Sequence, residues 1–416
     1  VAYDTVVILE SDESELSYFS ESDQASRTQP VAVLREGEWA ALPLRLDGRR
    51  IGLYVKLIDL TEDLQKVRVY ATALRGPQVE PAWLEKEVSE YVSIPVGPDR
   101  NALIGGFVDE QTFAEEVILG LNWSAEMYSY IIARTKPDVA FVYFTETDEW
   151  MHRMYGYLDE TSPWYDEAKV AERRALFATV FEAADRASWR VWQAMGGPEE
   201  STAVLVPDHG FASTWKIANV NERLAQLGLY NPTDPASSKA MAYSAGATTQ
   251  IYINLAGRQP GGVVKPEEFE AVKQAIVEGL RTWRDEDGTP ILNQVVTKEE
   301  AERITVEGRT FDFSHPTATG DVVAFANHPY QFDAASPGYL VTPGIPYFTG
   351  QHGYLADTVS EPHGNLRPIF AAGGKGVPAG VKVPETASIV DVAPTLAKLL
   401  GLPAPAQSDG TVLPGW

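Results

Sequence analysis

Ala203-Val204-Leu205-Val206-Pro207-Asp208-His209-Gly210 decides how the rest of the chain is read. Four consecutive apolar residues have the composition of a strand buried on both faces, as in parallel sheets. An acid and an imidazole follow at once. Neighbouring residues on an extended strand point to opposite faces, so both reach one ligand only where the strand ends and turns, and Gly210 would permit that turn. A charged pair at the end of a buried strand is costly unless something binds it. The plain alternative is an Asp capping a helix beside an unrelated His.

Moving upstream, Asp138–Phe144 is nearly all apolar and reads as a second buried strand, joined to the first by a helix over Glu167–Met195. Strand–helix–strand alternation is the mark of a parallel α/β sheet. Directly after this strand comes Thr147-Asp148-Glu149-Trp150-Met151-His152. If the segment opens a helical turn, Asp148 and His152 share a face and can bite one ion; otherwise they are a surface Asp and a packed His. Trp150, Arg153 and Tyr157 crowd this motif and are expected to wall a pocket. Ligands of open α/β sheets bind beyond the C-terminal ends of the strands, and both motifs fall there.

Downstream, Gln351-His352-Gly353-Tyr354 and Pro362-His363-Gly364 compete for one role. His352 is favoured, because a longer loop follows it and leaves it free to turn inward. His315 and His328 each stand beside a Pro and read as loop or core-edge histidines. The resulting set of Asp148, His152, Asp208, His209 and His352 offers the oxygen and nitrogen donors that a pair of divalent cations would use.

With no cysteine in 416 residues, thiolate sites and disulfides are excluded. The net charge of −24 argues against a nucleic-acid polymer or an anionic membrane as main partner. A small anionic substrate is still allowed, since local cation charge overrides the global field. No apolar run is long enough for a membrane-spanning helix, so a soluble chain is expected. Its start, Val-Ala-Tyr-Asp-Thr-Val-Val, has no basic segment or cleavage site, and an exported form with its signal removed would look the same.

Residues 1–76 read as β-rich: Tyr3–Leu9, Val31–Leu34, Trp39–Leu46, Ile51–Ile58 and Val67–Ala73 alternate or are β-branched, with Gly37 and Asp47-Gly48 as turns. From Pro81 the pattern turns helical, with helices at Pro81–Leu84 and Gln111–Arg134. Residues 212–349 read as an elaboration with helices at Asn221–Gly228 and Pro266–Trp283 and strands at Gln250–Leu255 and Asp321–Asn327. A strand at Leu366–Ala372 and a helix at Ile389–Leu400, stopped by Gly401 and Pro403, close the chain. Gly373-Gly374-Lys375-Gly376 lacks the ending of a phosphate loop, and no Gly-x-Ser-x-Gly elbow is present.

Taken in order, Thr-Asp-x-x-x-His, Asp-His-Gly and His-Gly-Tyr resemble the motifs of the alkaline phosphatase superfamily, and most closely its type I phosphodiesterase/nucleotide pyrophosphatase branch. Ile251-Tyr252-Ile253-Asn254, Gly257-Arg258 and the tail Val390-Asp391-Val392-Ala393-Pro394-Thr395-Leu396 with Leu400-Gly401-Leu402-Pro403 are also similar to that family. The similarity runs from near residue 80 to the end, and Val31–Ala73 resembles an insertion found in some members. The resemblance implies an alkaline-phosphatase-like α/β fold with a largely parallel sheet flanked by helices. It implies two metal ions, usually zinc, with manganese or iron also compatible with the donors: Asp148, His152 and His352 on one, Asp208 and His209 on the other. A further Asp and a Thr or Ser nucleophile should lie upstream of everything seen here. Residues 1–80 hold no matching strand end; Asp47-Gly48 is a hairpin turn, and Asp12 lacks the loop that should follow.

The chain is therefore read as a β-rich accessory segment, 1–76, and the C-terminal part of a catalytic domain, 77–416, of a longer protein. The implied activity is metal-dependent cleavage of phosphodiester or pyrophosphate bonds in a small phosphorylated substrate, through a Thr/Ser phospho-enzyme, with this chain alone inactive if the nucleophile is missing. Phosphomonoester, phosphonate or sulfate hydrolysis, phosphomutase chemistry, and a non-catalytic binding module with a partial metal site are the alternatives.

Overall fold

Alternation in the N-terminal stretch resolves into strands. Trp39–Leu46 (β1), Arg49–Leu60 (β2) and Val67–Ala71 (β3) form an antiparallel sheet in that order. Asp47 and Gly48, at φ 50° and 76°, make the two-residue turn between β1 and β2, the positive-φ turn whose twist suits a hairpin. The structure, a computed structural model, describes residues 4–8, 30–367, 369–384 and 387–416. Of the apolar run Tyr3–Leu9, Val6–Ile8 is a strand; both ends of that run and Asp12 lie outside the described residues.

Two compact units emerge, Val1–Glu149 with Leu176–Gly197, and Trp150–Ala175 with Pro198–Trp416. In the first, Ala82–Tyr91 (α1) follows Pro81, and Glu110–Thr135 (α2) starts where the Asp109 carboxylate accepts the Thr112 amide at 2.7 Å. Lys56 of β2 is buried and reaches Glu115 at 2.6 Å and Thr112 at 3.0 Å on α2. Glu116, one residue on, is buried and accepts from the Tyr70 hydroxyl at 3.0 Å and the Asp99 amide at 2.8 Å. Burial lifts its pKa to about 7. Glu146–Met154 (α3) and Val170–Ala194 (α4) each contribute residues to both units.

One expectation fails here. Asp138–Phe144 forms no strand among the described residues and is open to solvent, with Phe141 88% and Tyr143 58% exposed. An apolar run becomes a strand only beside a neighbour that takes up its backbone donors and acceptors, and the described residues supply none. The parallel pairing expected with Ala203–Val206 is accordingly not formed, although the mixed α/β class holds.

The second unit contains Thr202–Leu205 (β4), Phe211–Ser213 (β5), Ala240–Ala245 (β6), Thr248–Ile253 (β7), Phe269–Arg281 (α5), Leu292–Thr297 (β8), Val322–Ala326 (β9), Gly350–Gln351 (β10), Gly364–Asn365 (β11), Ala371–Gly374 (β12) and Val392–Leu399 (α6). Four strands make an antiparallel sheet in the order β8-β9-β7-β6. Ile251, Ile253, Val322 and Ala324 form a buried core with Ile276 and Leu280 of the amphipathic α5. Arg258 grips Asp321 with both guanidinium nitrogens, at 2.7 and 2.6 Å, and also donates to the Ile253 carbonyl, which explains the Gly257-Arg258 signature as a clasp on β7. β4 pairs antiparallel with β12. Of the strand expected over Leu366–Ala372, only Ala371 and Ala372 are in a strand among the described residues, at the start of β12; β11 ends just before Leu366. A small antiparallel sheet, β10-β5-β11, positions the histidines.

Candidate metal centre

Phe211 and Ser213 are two apart on β5 and so share a face of the strand. Around the buried Phe211 ring stand three imidazoles, with ring centroids 5.0 Å (His152), 5.5 Å (His209) and 5.4 Å (His352) away. His209 and His352 stack on one another at 3.6 Å and 12°, and His152 lies 5.2 Å from His352. Three histidines far apart in sequence therefore converge within the second unit. Asp208 stands beside His209, its Oδ2 3.5 Å from Nε2.

Each imidazole has an identifiable support. α3 forms as expected, so Asp148 and His152 lie one turn apart on one helix. His152 Nδ1 is 2.9 Å from the Gly350 carbonyl. The end of α3 is tied to the same segment, with Thr349 N donating to the His152 carbonyl at 2.9 Å and Thr349 Oγ1 to that of Arg153 at 2.9 Å. Gly350 is required for this approach: a Cβ there would stand 2.3 Å from the Met151 carbonyl oxygen. His352 follows β10, and its carbonyl accepts the Ala247 amide at 2.9 Å in the turn between β6 and β7. His209 precedes β5. Gly210 is needed for a different reason than the expected turn: a Cβ would lie 2.1 Å from the Asn365 carbonyl oxygen, so the residue allows β5 and β11 to close up.

Burial is the largest influence on His352, and with the neighbouring His209 and His152 it lowers the pKa to about 4, against an opposing pull from Asp208. The ring is therefore neutral at ordinary pH and can offer a lone pair. A Nδ1 proton held by Gly350 would likewise leave His152 Nε2 as its donor atom. Imidazole nitrogen and carboxylate oxygen without sulfur suit zinc, manganese or iron, so these residues fit the expected cations.

The two competing His-Gly pairs separate. His363 leads into β11 and joins a different cluster with Asp159 and His328, at the Ser213 end of β5. The donor atoms of these three residues all lie within 4.8 Å of one another. Asp159 is buried and accepts from Ser213 Oγ, from Thr161 N at 2.9 Å and Oγ1 at 2.7 Å, and stands 3.1 Å from His363 Nδ1. Burial raises its pKa, but these bonds outweigh burial and leave it below the ordinary value. Burial, with His363 beside it, takes His328 down to about 4. Sequence reasoning missed Asp159 and His328; Asp159-Glu160-Thr161, an Asx-turn pattern, was the one available sign. Trp150, Arg153 and Tyr157 are buried, with Arg153 over the Phe348 ring and donating to the Tyr347 carbonyl, so they are packing residues rather than pocket walls.

The sequence model of one family, type I phosphodiesterase / nucleotide pyrophosphatase, matches residues 35–355. The match takes in the β-rich stretch from residue 35 onward and all five expected ligands, and ends before His363. No curated protein matches the chain.

Proposed function

The chain belongs to the type I phosphodiesterase / nucleotide pyrophosphatase family, and from that premise we propose that it cleaves a phosphodiester or pyrophosphate bond in a small phosphorylated substrate with the help of two divalent cations. Asp148, His152 and His352 would hold one cation, and Asp208 and His209 the other; zinc is the first choice. The observation that carries this reading is the gathering of His152, His209 and His352 about Phe211.

When bound, such cations neutralise phosphoryl charge and favour ionisation of an attacking hydroxyl. The Gly350 carbonyl orients His152, the Ala247 amide fixes the turn carrying His352, and the buried Phe211 ring packs against all three imidazoles. Pre-oriented donors need little rearrangement on loading. The Thr or Ser nucleophile implied by the resemblance has no residue assigned to it in this chain.

Elemental mass spectrometry of the purified protein, with Asp208→Ala beside it, tests the reading. At least two zinc ions per chain, reduced in the variant, support it. None bound after zinc is offered to the folded chain overturns it. Relative rates on diester, monoester and sulfate model substrates test the bond class, and a preference for either of the last two would move the assignment elsewhere in the superfamily. Zinc binding without turnover of any of them would favour the binding module.

A further inference from the structure

We propose that Asp159, His328 and His363 form a further divalent-cation site of zinc-type chemistry, separate from the Phe211 centre, which fastens three loops of the second unit to β5. Their donor atoms come from three places: the turn after α3, the residue pair following β9, and the residue leading into β11. A two-histidine, one-carboxylate set is a common zinc donor group with room for water.

Spacing supports the assignment. Zinc bonds of about 2.0–2.1 Å place neighbouring donors of a tetrahedral site about 3.3 Å apart. Asp159 Oδ2 and His363 Nδ1 are already 3.1 Å apart. His328 is turned toward the same point, with Nε2 3.3 Å from Ser213 Oγ, itself bonded to Asp159 Oδ2. The His328 and His363 rings lie nearly parallel at 4.4 Å, and Trp215 braces His328 edge-on at 4.8 Å. Ser213 and Thr161 supply the outer hydrogen bonds that orient the carboxylate, the arrangement that accompanies ligands in metal sites. The His363 side chain is 34% exposed while that of Asp159 is 1% exposed, so solvent reaches the cluster from one side. On loading, His363 Nδ1 and Asp159 Oδ2 would both present lone pairs to the cation.

The test uses the whole chain and reads zinc, not activity. Zinc content after dialysis is measured for the wild type, His363→Gln, and Asp208→Ala/His352→Gln, with thermal midpoints with and without chelator. His363→Gln should lose one zinc equivalent and the part of the chelator-induced drop in midpoint that this site contributes, while Asp208→Ala/His352→Gln keeps one equivalent. Unchanged zinc in His363→Gln, or no zinc in the double variant, overturns the proposal. If the double variant keeps everything the wild type holds while His363→Gln loses one, the Phe211 centre fails and this site stands. Carbethoxylation of wild-type His363, followed by mass spectrometry, covers a variant that does not fold: saturating zinc should protect the ring, and unaltered modification overturns the site.

Discussion

The two ends of β5 gather imidazoles around different neighbours. At Phe211 three histidines surround an aromatic ring, and burial together with mutual proximity keeps His352 uncharged. At Ser213 two histidines flank a carboxylate already satisfied by hydroxyl and amide donors. At the Phe211 end the Asp208 carboxylate stands half exposed beside the imidazoles, whereas at the Ser213 end the Asp159 carboxylate is buried among its donors. The first arrangement suits a cation that must take part in chemistry; the second suits one that holds loops together.

The comparison breaks most visibly if Asp208→Ala spares function. Where the protein turns over a phosphodiester, this change should lower the rate by on the order of 10³-fold or more, with loss of zinc from the Phe211 side alone. Parallel loss from the Ser213 side would show that the two are one site.

Glu116 in the first unit provides a buried ionisable group with neither arrangement. Its pKa in the fold, about 7, lies above the ordinary 4.5. The unfolded chain therefore gives up this proton first, so the penalty is absent below pH 4.5, grows between 4.5 and 7, and is complete above that. Glu116→Gln should remove this slope and stabilise the protein by about 3 kcal/mol at pH 8, as read by denaturant titration across pH. An unchanged slope would show that water or Arg75 satisfies the carboxylate.

Ser213→Ala takes one donor from Asp159 and should cost about 1–3 kcal/mol of stability. It should also weaken zinc at the Ser213 side by roughly 10–100-fold, measured by competition with a chromogenic chelator, with the Phe211 side unaffected. Phe211→Leu should be the mildest change, about 1–2 kcal/mol in stability. It should shift the His352 titration toward ordinary values, because the wall of the cluster thins.

The two clusters were unequally legible in sequence. Asp148, His152, Asp208, His209 and His352 could be picked out as candidates because each stands in a short motif whose spacing has a mechanical meaning. The helix of α3 and the strand-ending Asp-His pair follow from local periodicity. Asp159, His328 and His363 share no spacing; only the folding of β9, β11 and the turn after α3 brings them together. His328 had even looked like an ordinary core-edge residue. The exposed run at Phe141 shows the converse failure, since composition reports what a segment could bury and not whether a neighbour is there to cover it. Gly210 and Gly350 were misjudged or passed over for the same reason: their need is set by backbones distant in sequence.

The stacked His209 and His352 rings have a consequence for observation by nuclear magnetic resonance. Face to face at 3.6 Å, each ring lies in the shielding cone of the other, so their carbon-bound protons should resonate upfield of those of an isolated imidazole. With only six histidines in the chain, those two signals would stand apart in a simple spectrum. Their positions would report, without any substrate, whether the pair is stacked and when a cation pulls it apart.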